Sequence, residues 1–88
     1  MKQTSIIRDN LIIKYEFRQN CVLIIFSNFN DIRINHFSDK LGTGNSEIES
    51  VERVIKYDSG QAAIIGKMNK GYNPEIAAKQ IKDSFETF

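Results

Sequence analysis

Cys21-Val22-Leu23-Ile24-Ile25-Phe26 is the longest apolar run in the chain. Six residues are far too few to span a bilayer. A short run with no polar position reads instead as a central strand covered on both faces. The neighbouring segments support a sheet around it. Residues 11–17 alternate, with Leu11, Ile13, Tyr15 and Phe17 on one side and Ile12, Lys14 and Glu16 on the other. That is a strand with one buried and one partly wet face. Residues 4–8 form a shorter strand, joined to it by an Asp9-Asn10 turn. Arg18-Gln19-Asn20 makes the tight connection into the apolar run. Beyond the run, residues 27–31 have turn chemistry. Residues 31–37 alternate again, Ile32 and Ile34 opposed to Arg33 and Asn35, and are expected to be an edge strand.

The second half predicts two helices and one more strand. Residues 40–45 form the one flexible segment. Ser46 and Glu49 have capping-box spacing, and Ile48, Val51, Val54 and Ile55 gather on one face, so a helix is expected over 46–57. Asp58-Ser59-Gly60 ends it. Residues 61–68, with Ala62-Ala63-Ile64-Ile65 at their centre, read as a second two-faced strand. Asn73 and Pro74 start the last helix, expected over 73–87. Its apolar side is Ile76, Ala77, Ile81, Phe85 and Phe88.

The predicted fold class is α+β: a small, mostly antiparallel sheet, element order β-β-β-β-α-β-α, packed with two amphipathic helices. A helix crossing between two strands of that sheet should join a parallel pair with right-handed sense. The chain has 88 residues, enough for one hydrophobic core, and residues 1–88 are expected to form a single domain.

Twelve basic and eleven acidic residues are well mixed and leave a formal charge of +1. Proteins that hold nucleic acid usually concentrate basic residues, because neutralising phosphates dominates their affinity. The polar first ten residues lack the pattern of a signal peptide. Cys21 is the only cysteine, so no disulfide within the chain is expected, and a cytoplasmic setting without membrane association is.

Few residues carry candidate chemistry. Gly42-Thr43-Gly44 before the first expected helix has the character of an anion-binding loop. It lacks the Gly-Lys-Ser/Thr of a phosphate-binding loop and the third glycine of a dinucleotide fingerprint. His36, the only histidine, has Asp31, Ser38 and Asp39 near it in sequence, and would need one of them in reach to act as a base. Cys21 at the head of a buried strand behaves as a small hydrophobe. No metal-ligand spacing is present, and no metal or cofactor is expected. Lys67, Lys70 and Tyr72 combine basic and aromatic groups as a nucleic-acid strand would require, with Arg33 and Lys40 extending the patch.

The most informative feature is an apolar excess. Two strands read as buried on both faces, while only two helices exist to cover the sheet. With both helices on one face, the other is left with Ile12, part of the 21–26 run, and either Ala62 and Ile64 or Ala63 and Ile65. An uncovered patch of that kind is usually an interface. With one helix on each face nothing is left over. Ile32, Ile34 and His36 on the expected edge strand, and Phe85 and Phe88 at the C-terminal end, are the candidate interface residues.

The leading functional expectation is a small non-enzymatic module acting by binding another protein, as a regulator, inhibitor or immunity-type protein does, with a homodimer plausible. It rests on fold class and on the lack of a catalytic constellation. The alternative is a nucleic-acid-binding accessory protein using the 67–72 loop. A small enzyme with an interface site around His36 is the third.

Overall fold

The computed structural model describes residues 3–8 and 11–86. Its elements are β1 (Gln3–Arg8), β2 (Leu11–Phe17), β3 (Cys21–Ser27), α1 (Asp31–Gly44), β4 (Ile48–Lys56), β5 (Gln61–Met68) and α2 (Pro74–Glu86). The α+β class, the antiparallel sheet and the two helices are as the sequence predicts. The order of elements is not. The strand expected at 31–37 is the first half of α1, and the helix expected at 46–57 is β4, giving β-β-β-α-β-β-α. The Asp9-Asn10 turn, Phe88 and the end of the helix expected over 73–87 lie outside the described residues.

The sheet runs β1-β2-β3-β5-β4, with every neighbouring pair antiparallel. The 21–26 run therefore lies in its middle strand, as expected. Because β5 separates β3 from β4 and opposes both, β3 and β4 run parallel, with α1 connecting them. The crossover expected of a helix over 46–57 is not made there; α1 makes one instead, between a parallel pair split by an inserted strand.

Residues 31–44 are helical because their large apolar side chains recur every three or four positions, not every two. Ile34, Phe37 and Leu41 share one face and are buried. Ile32 and Ile34, which a strand would put side by side, lie on different sides of a helix: Ile32 is 82% exposed and Ile34 0%. Asn30 caps the start, its Oδ1 accepting from the Arg33 amide at 2.9 Å. The Asp31 carboxylate sits in the favourable first turn and meets Lys56 Nζ at 3.1 Å. Gly42-Thr43-Gly44 then forms the last turn of this helix rather than a loop before one. The negative end of the helix dipole lies there, which disfavours an anion.

Residues 48–56 form a strand whose pairing with β5 shifts register between Ile48 and Ser50 and again between Val51 and Arg53. Each bulge inserts one residue. Side chains on one face thereby fall three apart, at Ile48, Val51 and Val54, opposite Met68, Gly66 and Ile64. Three-residue spacing imitates a helix. Ser46 and Glu49 do not form a capping box: the Ser46 amide donates to Gln80 Oε1 at 3.0 Å, and Glu49 Oε2 meets Lys67 Nζ at 3.0 Å. A hairpin follows, with Tyr57 N donating to Gln61 O at 2.8 Å. Gly60 takes φ +83° there, a conformation that a side chain would oppose.

Both helices pack on the same face of the sheet. One core cluster joins Ile34, Phe37 and Leu41 of α1 and Ala77, Ile81 and Phe85 of α2 to Ile13, Tyr15, Phe17, Val22, Ile24, Phe26, Ile48, Ala62, Ile64 and Met68. Within β2, β3 and β5 these are alternate positions, the inward set. Phe26, Phe37 and Phe85 stand at the centre, where the Phe26 and Phe37 rings meet edge to face at 4.8 Å. Ile76, expected on the apolar side of α2, is exposed. Among the described residues no helix is long and apolar enough to cross a membrane.

Candidate interaction surface

With both helices on one side, the outward positions of the sheet form a face that no described element covers. Strand register gives its layout, since residues opposite one another on paired strands share a face. From β2 to β4 one row reads Lys14, Ile25, Ala63, Ile55, and the next reads Glu16, Leu23, Ile65, Arg53. A third row places Cys21 beside Lys67 and Ser50. Leu23, Ile25, Ile55 and Ile65 are half-buried by one another, and Ala63, between Ile25 and Ile55, is 7% exposed. The result is an aliphatic strip across the middle strands, bounded by charged side chains. The 21–26 run is thus covered completely on one side only, correcting the expectation of cover on both. Of the two arrangements weighed for the apolar excess, this is the one that leaves Ala63 and Ile65 on the open face. The side chain of Ile12 lies outside the described residues.

The basic patch expected around the 67–72 loop is not assembled. Lys67 projects from the open face, where the hydrogen bond it donates to Glu49 and the charge of that carboxylate hold the ammonium above its ordinary pKa. Arg33 and Lys40 are on α1, on the opposite side of the sheet. Lys70 is exposed in the turn after β5. Tyr72 is half-buried, its ring tilted against Phe17 at a centroid distance of 5.8 Å. Its hydroxyl donates to the Arg18 carbonyl at 2.7 Å.

Two of the candidate interface residues are corrected by burial. Ile34 and Phe85 are both 0% exposed and belong to the core of the monomer, because the helices bring them under the sheet. Ile32 and His36 are exposed on α1. Phe88 lies outside the described residues. Helical geometry places His36 and Ser38 on different sides of α1 and leaves Asp39, three residues on, as its neighbour along the helix. Among the described residues no three His, Cys, Asp or Glu side chains group to hold a metal ion.

The Tyr72 contact lines an open depression of about 810 Å³, formed by Phe17, Arg18, Gln19, Tyr72, Asn73, Pro74 and Glu75. Arg18 was not among the residues picked from sequence, and a turn arginine carries no signal that could have singled it out. Burial first, and then the charge of the nearby Cys21, raises the Tyr72 phenol above its ordinary value. The protonated form is the one that donates to Arg18. Its stabilisation is therefore complete below the ordinary phenol value, about 10, and is lost as pH rises through the raised one. Tyr72→Phe is expected to cost about 0.5–1.5 kcal/mol at neutral pH and to lose less stability on alkalinisation. Urea midpoints at about pH 8 and about pH 11 test this; equal losses in both proteins would deny the phenol its part.

No protein-family model, no curated protein and no solved structure matches the chain.

Proposed function

We propose that this chain is a non-enzymatic protein-interaction module that docks through the open face of its sheet. One observation carries the reading: Leu23, Ile25, Ala63, Ile65 and Ile55 make a contiguous aliphatic strip on a face that no described element covers. Contiguous apolar patches on small proteins mark binding surfaces, and an apolar centre with a charged rim is the usual anatomy of an interface. Nucleic acid fits this face poorly. Its cations are interspersed with Glu16 and Glu49, and Lys67 is engaged by Glu49, whereas phosphate binding needs a concentrated basic excess.

A photo-reactive aromatic amino acid placed at position 65 tests the reading in the cell that makes the protein, with position 79 on exposed α2 as control. A discrete protein adduct is expected from 65 and not from 79. No adduct from 65, or the same adducts from both positions, would overturn the proposal.

A further inference from the structure

The rows crossing the open face differ in the charges at their ends. The row Glu16, Leu23, Ile65, Arg53 has an acid on β2, a base on β4 and two aliphatic side chains between. Arg53 makes no ion pair with any described residue. Glu16 receives Arg18 Nε at 3.0 Å through Oε1, so its second oxygen keeps acceptor capacity. A row with opposite charges at equal distances from its centre is complementary to its own copy turned end for end.

Resting on the docking role proposed for this face, we infer that its occupant is a second copy of this chain, stacked sheet on sheet about a two-fold axis running along the strands between β3 and β5. That operation sets β3 against the partner's β5 and β2 against the partner's β4. Leu23 then lies over Ile65 of the partner subunit, and Ile25 over the small Ala63 of the partner subunit, which lets the two layers interdigitate. Glu16 faces Arg53 of the partner subunit, and the symmetry makes that pair twice. Stacked sheets lie about 10 Å apart, a gap that extended arginine and glutamate side chains bridge together. A two-fold axis across the strands would instead pair Glu16 with Lys14 and leave Arg53 over the aliphatic Ile55, where the axis along the strands leaves Lys14. The planar guanidinium fork, which matches a carboxylate better than an ammonium does, favours the axis along the strands.

The area of overlap is that of a small interface, in keeping with a weak dimer. The four strands that overlay under this axis, about 4.8 Å apart and each about seven residues of about 3.3 Å, present roughly 440 Å² before side-chain relief, and β1 has no counterpart. One partner in a standard interface contributes about 800 Å². The β4 edge is less suited: β4 carries two bulges and the charges of Glu49, Glu52, Arg53 and Lys56, devices that oppose edge-to-edge pairing.

Sedimentation equilibrium of the full chain tests the inference, using Glu16→Arg and Arg53→Glu alone and mixed. The native chain is expected to dimerise in the micromolar range. Each single variant sets like charges against each other at both ends and should weaken the dimer about tenfold or more. Mixing the two single variants sets acid against base at both ends, so heterodimers should recover near-native affinity. Single variants that dimerise like the native chain, or a mixture that does not recover, would overturn this geometry. A native chain monomeric at high micromolar concentration would overturn the dimer. If position 65 nevertheless cross-links to another protein, the docking role survives without the self-association; if it does not, both fall.

Discussion

Phe37→Ala is expected to lower stability by about 3–5 kcal/mol, the cost of removing a fully enclosed ring. Phe37 is 0% exposed and is the side chain through which α1 reaches the centre of the core. Its ring meets Phe26 of β3 at 4.8 Å and Phe85 of α2 at 6.5 Å, nearly perpendicular to both. Edge-to-face pairs add about 0.5–1.5 kcal/mol beyond area burial. The substitution leaves a void shared by the sheet and both helices, which relaxation fills only in part. Small domains hold about 5–15 kcal/mol in total, so this is a large share. Asn35 is the control. A strand would put Asn35 and Phe37 on one face, whereas the helix turns Asn35 to solvent. Asn35→Ala should therefore be neutral or slightly stabilising through helix propensity. Urea unfolding of the two variants measures both. A cost below about 1 kcal/mol for Phe37→Ala would contradict the packing of α1.

Phe85→Ala carries a second effect of the same size, about 3–5 kcal/mol, and it separates core from interface. The ring is enclosed between Phe26, at 6.4 Å, and Phe37. A core residue lowers the melting temperature of dilute monomer and leaves the concentration dependence of melting alone. An interface residue does the reverse. Melts of native and variant protein over a wide concentration range give both quantities. Unchanged stability of dilute monomer would return Phe85 to the surface.

The parts of the fold legible in the sequence were those where one periodicity ran undisturbed. The alternation of Ile13, Tyr15 and Phe17 gave β2, the apolar run gave β3, and Asn73-Pro74 gave the start of α2, where Asn73 Oδ1 accepts from the Glu75 amide at 2.9 Å. The middle of the chain misled because two signals competed. Ile32 and Ile34 alternate over four residues, but Ile34, Phe37 and Leu41 keep helical spacing over eight, behind the Asn30 cap, and the longer pattern buries more area. In β4 two bulges converted an alternation of two into a spacing of three. The corrective signal was residue type: Ile48, Val51, Val54 and Ile55 are all β-branched, and such side chains favour strands. Bulges depend on the partner strand, so a single strand's sequence does not announce them.

The candidate surface was half legible. The excess of two-faced apolar strand is visible in the residues, and it left two arrangements standing, an open face or one helix on each face. Which set faced outward, Ala63 and Ile65 rather than Ala62 and Ile64, depends on register with β3 and on where the helices lie. The Glu16-to-Arg53 row is farther out of reach. It joins residues from four strands, and one of those strands was expected to be a helix.

In the proposed dimer the open face makes the contacts and a second copy fills it. Isotope-filtered NMR on a mixture of labelled and unlabelled chains tests that arrangement most directly, because only contacts between subunits give signals. The expected result is a set of intermolecular cross-peaks linking Leu23 methyls to Ile65 methyls, with none from Ile32 on α1 or Ile76 on α2. Cross-peaks arising from Ile32 or Ile76 instead, or none at high micromolar concentration, would contradict it.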